Sequence, residues 1–129
     1  VAHLVEYANA AHDTGARERM TQASWYLYML RCDDGSVYTG ITTDVERRFE
    51  EHRSGRRGAR YLRARRPTEL LYATVVGDRS AASVAEYAVK SLEKSQKEAV
   101  AAGTLLLVDV LERRARRRSQ RDRADRSVT

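Results

Sequence analysis

The sequence predicts one α+β domain, and three features of it carry that expectation. Two apolar, aromatic runs, residues 25–32 and 37–42, flank Asp33-Asp34-Gly35-Ser36, the pattern of a β-hairpin. Thr43-Asp44-Val45-Glu46 follows at once, with the spacing of a capping box that opens a helix. Later, an apolar run at 70–76 gives way to small and apolar residues at helical spacing. A chain of 129 residues can bury one core, whereas two halves would each sit near the lower limit for doing so.

Composition divides the chain. Charged residues make up 33% against 42% hydrophobic, which borders on disordered composition, yet 21 of the 25 Leu, Ile, Val and Phe residues fall between 25 and 111. Residues 25–111 are therefore expected to be the folding domain. Residues 1–24 are expected to form a weakly ordered extension or a loose helix, with Met20 as a candidate start, and 112–129 an Arg-rich tail, disordered or helical. No apolar run approaches the ~20 residues of a membrane span, and no basic region with an apolar stretch opens the chain. A cytoplasmic protein without membrane association is the expectation. The lone Cys32 cannot form an internal disulfide, and one thiol with three histidines makes no zinc pattern. Cys32 reads as a small buried hydrophobe.

The hairpin turn decides which tyrosines meet. If Asp33 and Asp34 make a type I turn and Gly35 is left-handed, Cys32 pairs with Ser36, Leu30 faces Tyr38 and Tyr28 faces Gly40. Tyr26, Tyr28 and Tyr38 then share one face, and Leu27, Met29, Val37 and Ile41 the other. A two- or four-residue loop would reverse that parity. In the next helix, Thr43 as N-cap and Glu46 three residues on set a start, with an end near Ser54. With Val45 at 0°, Phe49 lies at about +40°, His52 at about −20° and Arg48 at about −60°, while Arg47 at about 200° faces solvent. Arg48 and His52 thus flank the buried stripe, and a charge there requires a reason.

Residues 53–66 read as a basic loop or irregular helix ended by Pro67. A third strand spans 70–76. Asp78 or Ser80 caps a helix to about Leu92 with Val84, Ala85, Ala88, Val89 and Leu92 on one face, and Ser95 to Ala102 forms another. Residues 105–111 fit either a helical turn or a fourth strand.

Charge is concentrated in two places. The formal net charge is +6, and the tail carries eight arginines against Glu112, Asp122 and Asp125. Such a tail is expected to be a solubility or nonspecific-affinity feature that acts through charge alone. Arg53, Arg56, Arg57, Arg60, Arg63, Arg65 and Arg66 form a second cluster with no acid among them. Arginine can grip phosphate bidentately, so these seven are the candidate nucleic-acid-binding residues.

Taken together, Tyr26-Leu27-Tyr28, Tyr38-Thr39-Gly40 with Tyr38 ten residues after Tyr28, and the helix from Thr43 through Arg47-Arg48-Phe49-Glu50-Glu51-His52 resemble the GIY-YIG nuclease superfamily. The likeness is to its small single-domain bacterial members, and more distantly to the excinuclease catalytic domain. It covers about residues 25–102, including Arg-Arg-Pro-Thr-Glu-Leu-Leu-Tyr at 65–72 and Ala-Glu-Tyr-Ala-Val-Lys-Ser-Leu at 85–92. It implies a small three-stranded antiparallel sheet flanked by helices, and a single divalent metal, Mg²⁺ or Mn²⁺, for cutting phosphodiester bonds. By position it implies Tyr28 and Tyr38 as the two motif tyrosines, Arg48 as the helix arginine, His52 one turn on, and Glu86 as the metal-binding acid. Two residues depart from the pattern: Tyr26 stands where the superfamily has glycine, and Thr39 replaces the central isoleucine.

The chemistry accounts for these residue types. Phosphodiester hydrolysis needs a water deprotonated near phosphorus, charge stabilisation on the nonbridging oxygens and help for the leaving oxygen. A tyrosine with an ordinary pKa near ~10 makes a costly phenolate at neutral pH, so nearby positive charge must lower it. One carboxylate leaves a hard cation with positions open for water and phosphate. Structural alternatives stay open: ordinary strand aromatics for the tyrosines, Arg48 lying along Phe49, a structural hydrogen bond for His52. Periodicity counted from Val84 puts Glu86 at about 200°, a solvent residue paired with Lys90; only the resemblance raises it. The expectation is a metal-dependent endonuclease acting on DNA, with RNA as the other candidate substrate and repair or recombination as the setting. A catalytically weak nucleic-acid-binding module of the same fold is the alternative, and a purely structural role the third. The oligomeric state is not legible.

Overall fold

A computed structural model of the chain describes residues 23–55, Leu62 and 65–127. Among them are three strands, β1 (Trp25–Cys32), β2 (Val37–Thr42) and β3 (Pro67–Gly77), and four helices, α1 (Val45–Ser54), α2 (Arg79–Lys90), α3 (Lys94–Ala102) and α4 (Leu107–Ser127). The strands form one antiparallel sheet in the order β2-β1-β3. The α+β class and the three-stranded antiparallel sheet are as expected. Arg56, Arg57, Arg60, Arg63 and the extension before residue 23 lie outside the described residues.

The hairpin takes the three-residue loop. The Cys32 amide donates to the Ser36 carbonyl at 2.9 Å, the Gly35 amide to the Cys32 carbonyl at 3.0 Å, and Gly35 has φ +83°. A left-handed residue there is cheap only for glycine. Leu30 then faces Tyr38 and Tyr28 faces Gly40. Parity does the rest: Leu27 and Met29, with Val37 and Ile41, meet Ala85, Ala88 and Val89 of α2, Val100 of α3 and Val110 of α4. Tyr26, Tyr28, Leu30 and Cys32 point the other way, onto Val45 of α1 and Leu62, with Tyr38 and Phe49 at the margin. The central strand is thus buried on both faces, one beneath α1 and the other beneath α2, α3 and α4.

Three local expectations are corrected, and one left open is decided. The α1 cap is Asp44 rather than Thr43: its backbone is extended, its carboxylate accepts the Arg47 amide at 3.1 Å, and its own amide donates to the Thr42 hydroxyl at 3.1 Å. A carboxylate is better placed than a hydroxyl at the positive helix end, and Glu46, now the second helical residue, falls one position short of closing a box. β3 starts at Pro67 rather than Leu70, since as an end residue a proline costs no ladder bond. The buried face of α2 is Ala82, Ala85, Ala88 and Val89, and Val84 is exposed. Ala82 is smaller and less conspicuous than Val84, but it lies against the sheet. Finally, residues 107–111 are helical: Leu107, Val110 and Leu111 pack at helical spacing while Leu106 and Val108 face outward. That helix runs on through the Arg-rich segment to Ser127.

Asp78 caps α2, accepting the Ala81 amide at 2.8 Å. Glu93 and Gln96 cap α3 reciprocally. Arg31 of β1 forms a forked ion pair with Glu98 of α3, one arm at 2.6 Å, which ties α3 to the end of the central strand.

Candidate active site

Hairpin register and helix phase together bring Tyr28, Tyr38, Arg48 and His52 into one cluster. Tyr28 is 1% exposed and projects from the central strand beneath α1. Its hydroxyl lies 2.8 Å from His52 Nε2. His52 is itself only 2% exposed, deeper than a residue flanking the stripe. Tyr38 stands against the His52 ring edge-on at 5.4 Å between centroids, and 6.2 Å from the Tyr28 ring. The Arg48 guanidinium and the Tyr38 hydroxyl are both hydrogen-bonding neighbours of the Tyr28 hydroxyl.

Gly40 makes this arrangement possible. It sits opposite Tyr28 in the ladder, and a Cβ built on it would lie 2.4 Å from the Tyr28 hydroxyl oxygen and 2.6 Å from Cζ. The glycine is required for space, since a side chain of any kind would overlap the ring. Register alone juxtaposes the two residues, so that much is legible in the sequence, but the overlap depends on the tilt of the ring. Glu51 carries no comparable sequence signal. It accepts from Arg48 at 3.0 Å and pairs with Arg47 at 3.5 Å, holding one arm of the Arg48 fork. Arg47 is 70% exposed while Arg48 is half-buried, in line with the helix phase.

Electrostatics in the cluster follow from burial. Loss of water pushes the Tyr28 hydroxyl far above the ordinary tyrosine range; Tyr38 opposes ionisation further, and Arg48 counters only part of the rise. Tyr38, less enclosed, is also raised by burial, with the Glu86 charge adding to the rise and Arg48 opposing it. The expectation that Arg48 draws the tyrosines down is therefore met in sign but outweighed. Burial, with the Arg48 charge beside it, depresses His52 to about 4, so its imidazole is neutral at physiological pH.

Glu86 belongs to α2 on the opposite layer, yet its charge reaches Tyr38 around the β2 edge. Counted from Ala82 rather than Val84, it lies at about +40°, beside the buried stripe instead of opposite it. Its side chain is 26% exposed and 3.6 Å from Lys90 Nζ. Among the described residues no three His, Cys, Asp or Glu side chains gather into a closed metal site. One half-buried carboxylate whose charge reaches Tyr38 does fit a hard cation that keeps most of its coordination for water and phosphate.

Two of the three described arginines of the 53–66 segment pair with acids of the protein. Arg53 pairs with Glu50 at 2.9 Å, and Arg65 with Asp34 of the hairpin turn at 2.7 Å. The Arg66 carbonyl accepts the Asp33 amide at 2.8 Å, so the segment's return is pinned to the turn.

Residues 24–99 match the GIY-YIG catalytic domain. The chain belongs to the GIY-YIG catalytic-domain family. It is similar to the UPF0213 protein YhbQ of Escherichia coli, 54% identical over 78 residues that cover 60% of this chain and 77% of that protein. It is 47% identical to a UPF0213 protein of Desulfotalea psychrophila over 81 residues, 63% of this chain and 74% of that one. A UPF0213 protein from Bacillus halodurans, solved by solution NMR, is 43% identical and matches with a TM-score of 0.40 over 61% of this chain and 83% of its own. The GIY-YIG domain places this chain in a nuclease family, and no helix among the described residues is long and apolar enough to cross a membrane.

Proposed function

We propose that this protein is a divalent-metal-dependent endonuclease hydrolysing phosphodiester bonds in DNA. The observation that carries the reading is the convergence of Tyr28, Tyr38, Arg48 and His52, with the Glu86 charge near enough to act on Tyr38. Glu86 would hold the cation, which when bound supplies positive charge to the nonbridging oxygens. Arg48, oriented by Glu51, meets the phosphate from the α1 side and stabilises the charge that develops on it. Tyr38, the less buried tyrosine, orients the attacking water and takes its proton. A free phenolate is too costly at this burial, so Tyr38 releases its own proton to Tyr28 as it accepts the new one, and Tyr28 passes its proton to the neutral His52 Nε2. Protonating an imidazole of pKa about 4 at neutral pH costs about 4 kcal/mol, within what a catalysed step supplies. Gly40 keeps the Tyr28 ring in the relay.

The depth of Tyr28 favours one second reading, a nucleic-acid-binding module of the same fold with weak catalysis. Single-stranded, duplex and branched DNA, with RNA in parallel, incubated with Mg²⁺, Mn²⁺ or EDTA, separates the two. Metal-dependent cutting that Glu86→Gln removes supports the nuclease; binding without cutting by the wild type in every condition supports the module.

A further inference from the structure

By charge count alone the C-terminal arginines are a diffuse cation, but α4 arranges them. With Val110, the residue by which α4 is buried, at 0°, Arg113, Arg117, Arg121, Arg114 and Arg118 fall at about −60°, −20°, +20°, +40° and +80°. All five line one groove of about 370 Å³. Its far wall is Ala88 of α2, Ser91 and Leu92 of the link that follows it, and Gln96 of α3, and no acidic side chain lines it. Arg114 lies over the exposed Tyr87 ring of α2, 4.4 Å from its centroid, a contact that holds α4 against α2.

A helix that merely packed here would continue the stripe begun by Val110 with apolar residues. Instead the inward face carries like charges at three- and four-residue spacing, which destabilises an isolated helix. The acids nearest the groove in sequence do not relieve it: Glu112 points outward and pairs with Arg116 at 3.6 Å. Among the described residues Arg113, Arg117, Arg118 and Arg121 have no carboxylate partner. Such a face is stabilised by an anion that fills the groove and meets several forks together.

We infer that the groove between α4 and α2–α3 is a second nucleic-acid contact, taking the phosphodiester backbone of the same DNA that the catalytic edge cuts. The inference rests on the nuclease reading only for the identity of that DNA. Arg113, Arg117 and Arg121 recur at about 6 Å along the helix axis, a regular ladder suited to the repeating phosphates of one strand. A lipid surface is a poorer match, because α4 beyond Leu111 has no apolar face to insert and the groove is concave. Glu86 and Ala88 lie on opposite flanks of α2, at about +40° and −120° from Ala82, so the groove is about one helix diameter, ~10 Å, from the catalytic edge. A backbone leaving the edge reaches it within a few nucleotides.

The test separates position from charge. In the full-length protein, Arg113→Gln, Arg117→Gln and Arg121→Gln together remove three charges from the groove, and Arg116→Gln, Arg123→Gln and Arg126→Gln remove three from the outer face of the same helix. Binding to a fluorescent 20-base-pair duplex is measured by anisotropy in EDTA across a salt series. The groove triple is expected to weaken binding about tenfold or more and to lower the salt slope by about 2 to 3, at ~0.9 for each phosphate no longer neutralised. The outer triple is expected to lower it by less than about 1. Equal effects of the two triples, or none from the groove triple, overturn the proposal. Competition by polyglutamate or by phosphatidylserine vesicles as strong as by unlabelled duplex overturns the assignment to nucleic acid. Because cleavage plays no part in the readout, a wild type that binds through the groove but never cuts contradicts the nuclease reading alone. Cutting by the wild type together with unchanged binding by the groove triple contradicts this inference alone.

Discussion

Replacing Gly40 by alanine puts one methyl group into the tightest contact of the site. The new Cβ would lie 2.4 Å from the Tyr28 hydroxyl oxygen and 2.6 Å from Cζ, where ordinary contact begins at 3.4 Å, so the ring or the strand must yield by about 1 Å. Tyr28 is 1% exposed and its hydroxyl is pinned at 2.8 Å to a histidine that is 2% exposed. A shift of that size overpacks the layer under α1, at about 1–3 kcal/mol. It also stretches the Tyr28–His52 hydrogen bond, leaving buried polar atoms short of partners at about 1–3 kcal/mol. A total of about 2–6 kcal/mol should appear in urea denaturation of Gly40→Ala as a lower midpoint with an unchanged slope. A misplacement of about 1 Å at a reacting group also costs about 10² in rate, read as single-turnover cleavage at saturating protein. Since Gly40 does not need a left-handed backbone, the whole effect must come from Tyr28. Gly40→Ala combined with Tyr28→Ala should therefore be no less stable than Tyr28→Ala alone. Wild-type stability and cleavage in Gly40→Ala, or full additivity in the double variant, would refute the reasoning.

Three further outcomes follow from the same contacts. His52 has a folded pKa near 4, below its ordinary 6.5, so the unfolded chain binds its proton more readily; that stability is complete above pH 6.5 and is lost as pH falls towards 4, by about 2–3 kcal/mol. Urea midpoints at pH 7.5 and 4.5 should differ by correspondingly less in His52→Gln, and an identical pH dependence in the two proteins contradicts the assignment. Thr39 is buried at 3% exposure and its hydroxyl has no hydrogen-bond partner among the described residues, so Thr39→Val should raise stability by about 1 kcal/mol in thermal unfolding, where a loss would mean that the hydroxyl is satisfied. Tyr38→Phe keeps the ring but removes the relay hydroxyl, and should lower single-turnover cleavage by ~10² or more with little change in DNA affinity; an unchanged rate removes Tyr38 from proton transfer.

Much of the fold and the site is legible in residue types and spacing because two periodicities cooperate. The period of two in Tyr26-Leu27-Tyr28-Met29, fixed in phase by Gly35, assigns the tyrosines and the aliphatic residues to opposite layers. The helical period from Val45 assigns Arg48 inward and Arg47 outward. Both signals are local, and the structure agrees with both. What spacing does not reveal depends on contacts between elements. Asp44 displaces Thr43 as a cap through hydrogen bonds that spacing does not distinguish. Glu86 looks solvated when Val84, the more apolar residue, sets the helix phase, whereas the small Ala82 is the one that lies against the sheet. The consequence of Gly40 for Tyr28 and the hold of Glu51 on Arg48 both need the tilt of particular rings and forks. The ordered face of the C-terminal arginines needs Val110 buried on α2, a contact no charge count reveals.

The most direct test of the catalytic assignment compares two adjacent arginines. Arg47 and Arg48 are the same residue one position apart, with equal charge and equal helix propensity, but Arg48 meets the Tyr28 hydroxyl while Arg47 is 70% exposed. Single-turnover cleavage of a labelled duplex at saturating protein and Mg²⁺ should fall by ~10² or more in Arg48→Ala and by less than about threefold in Arg47→Ala, with both variants binding the duplex in EDTA to a similar extent. Loss of cleavage in Arg47→Ala with normal cutting by Arg48→Ala would contradict the account.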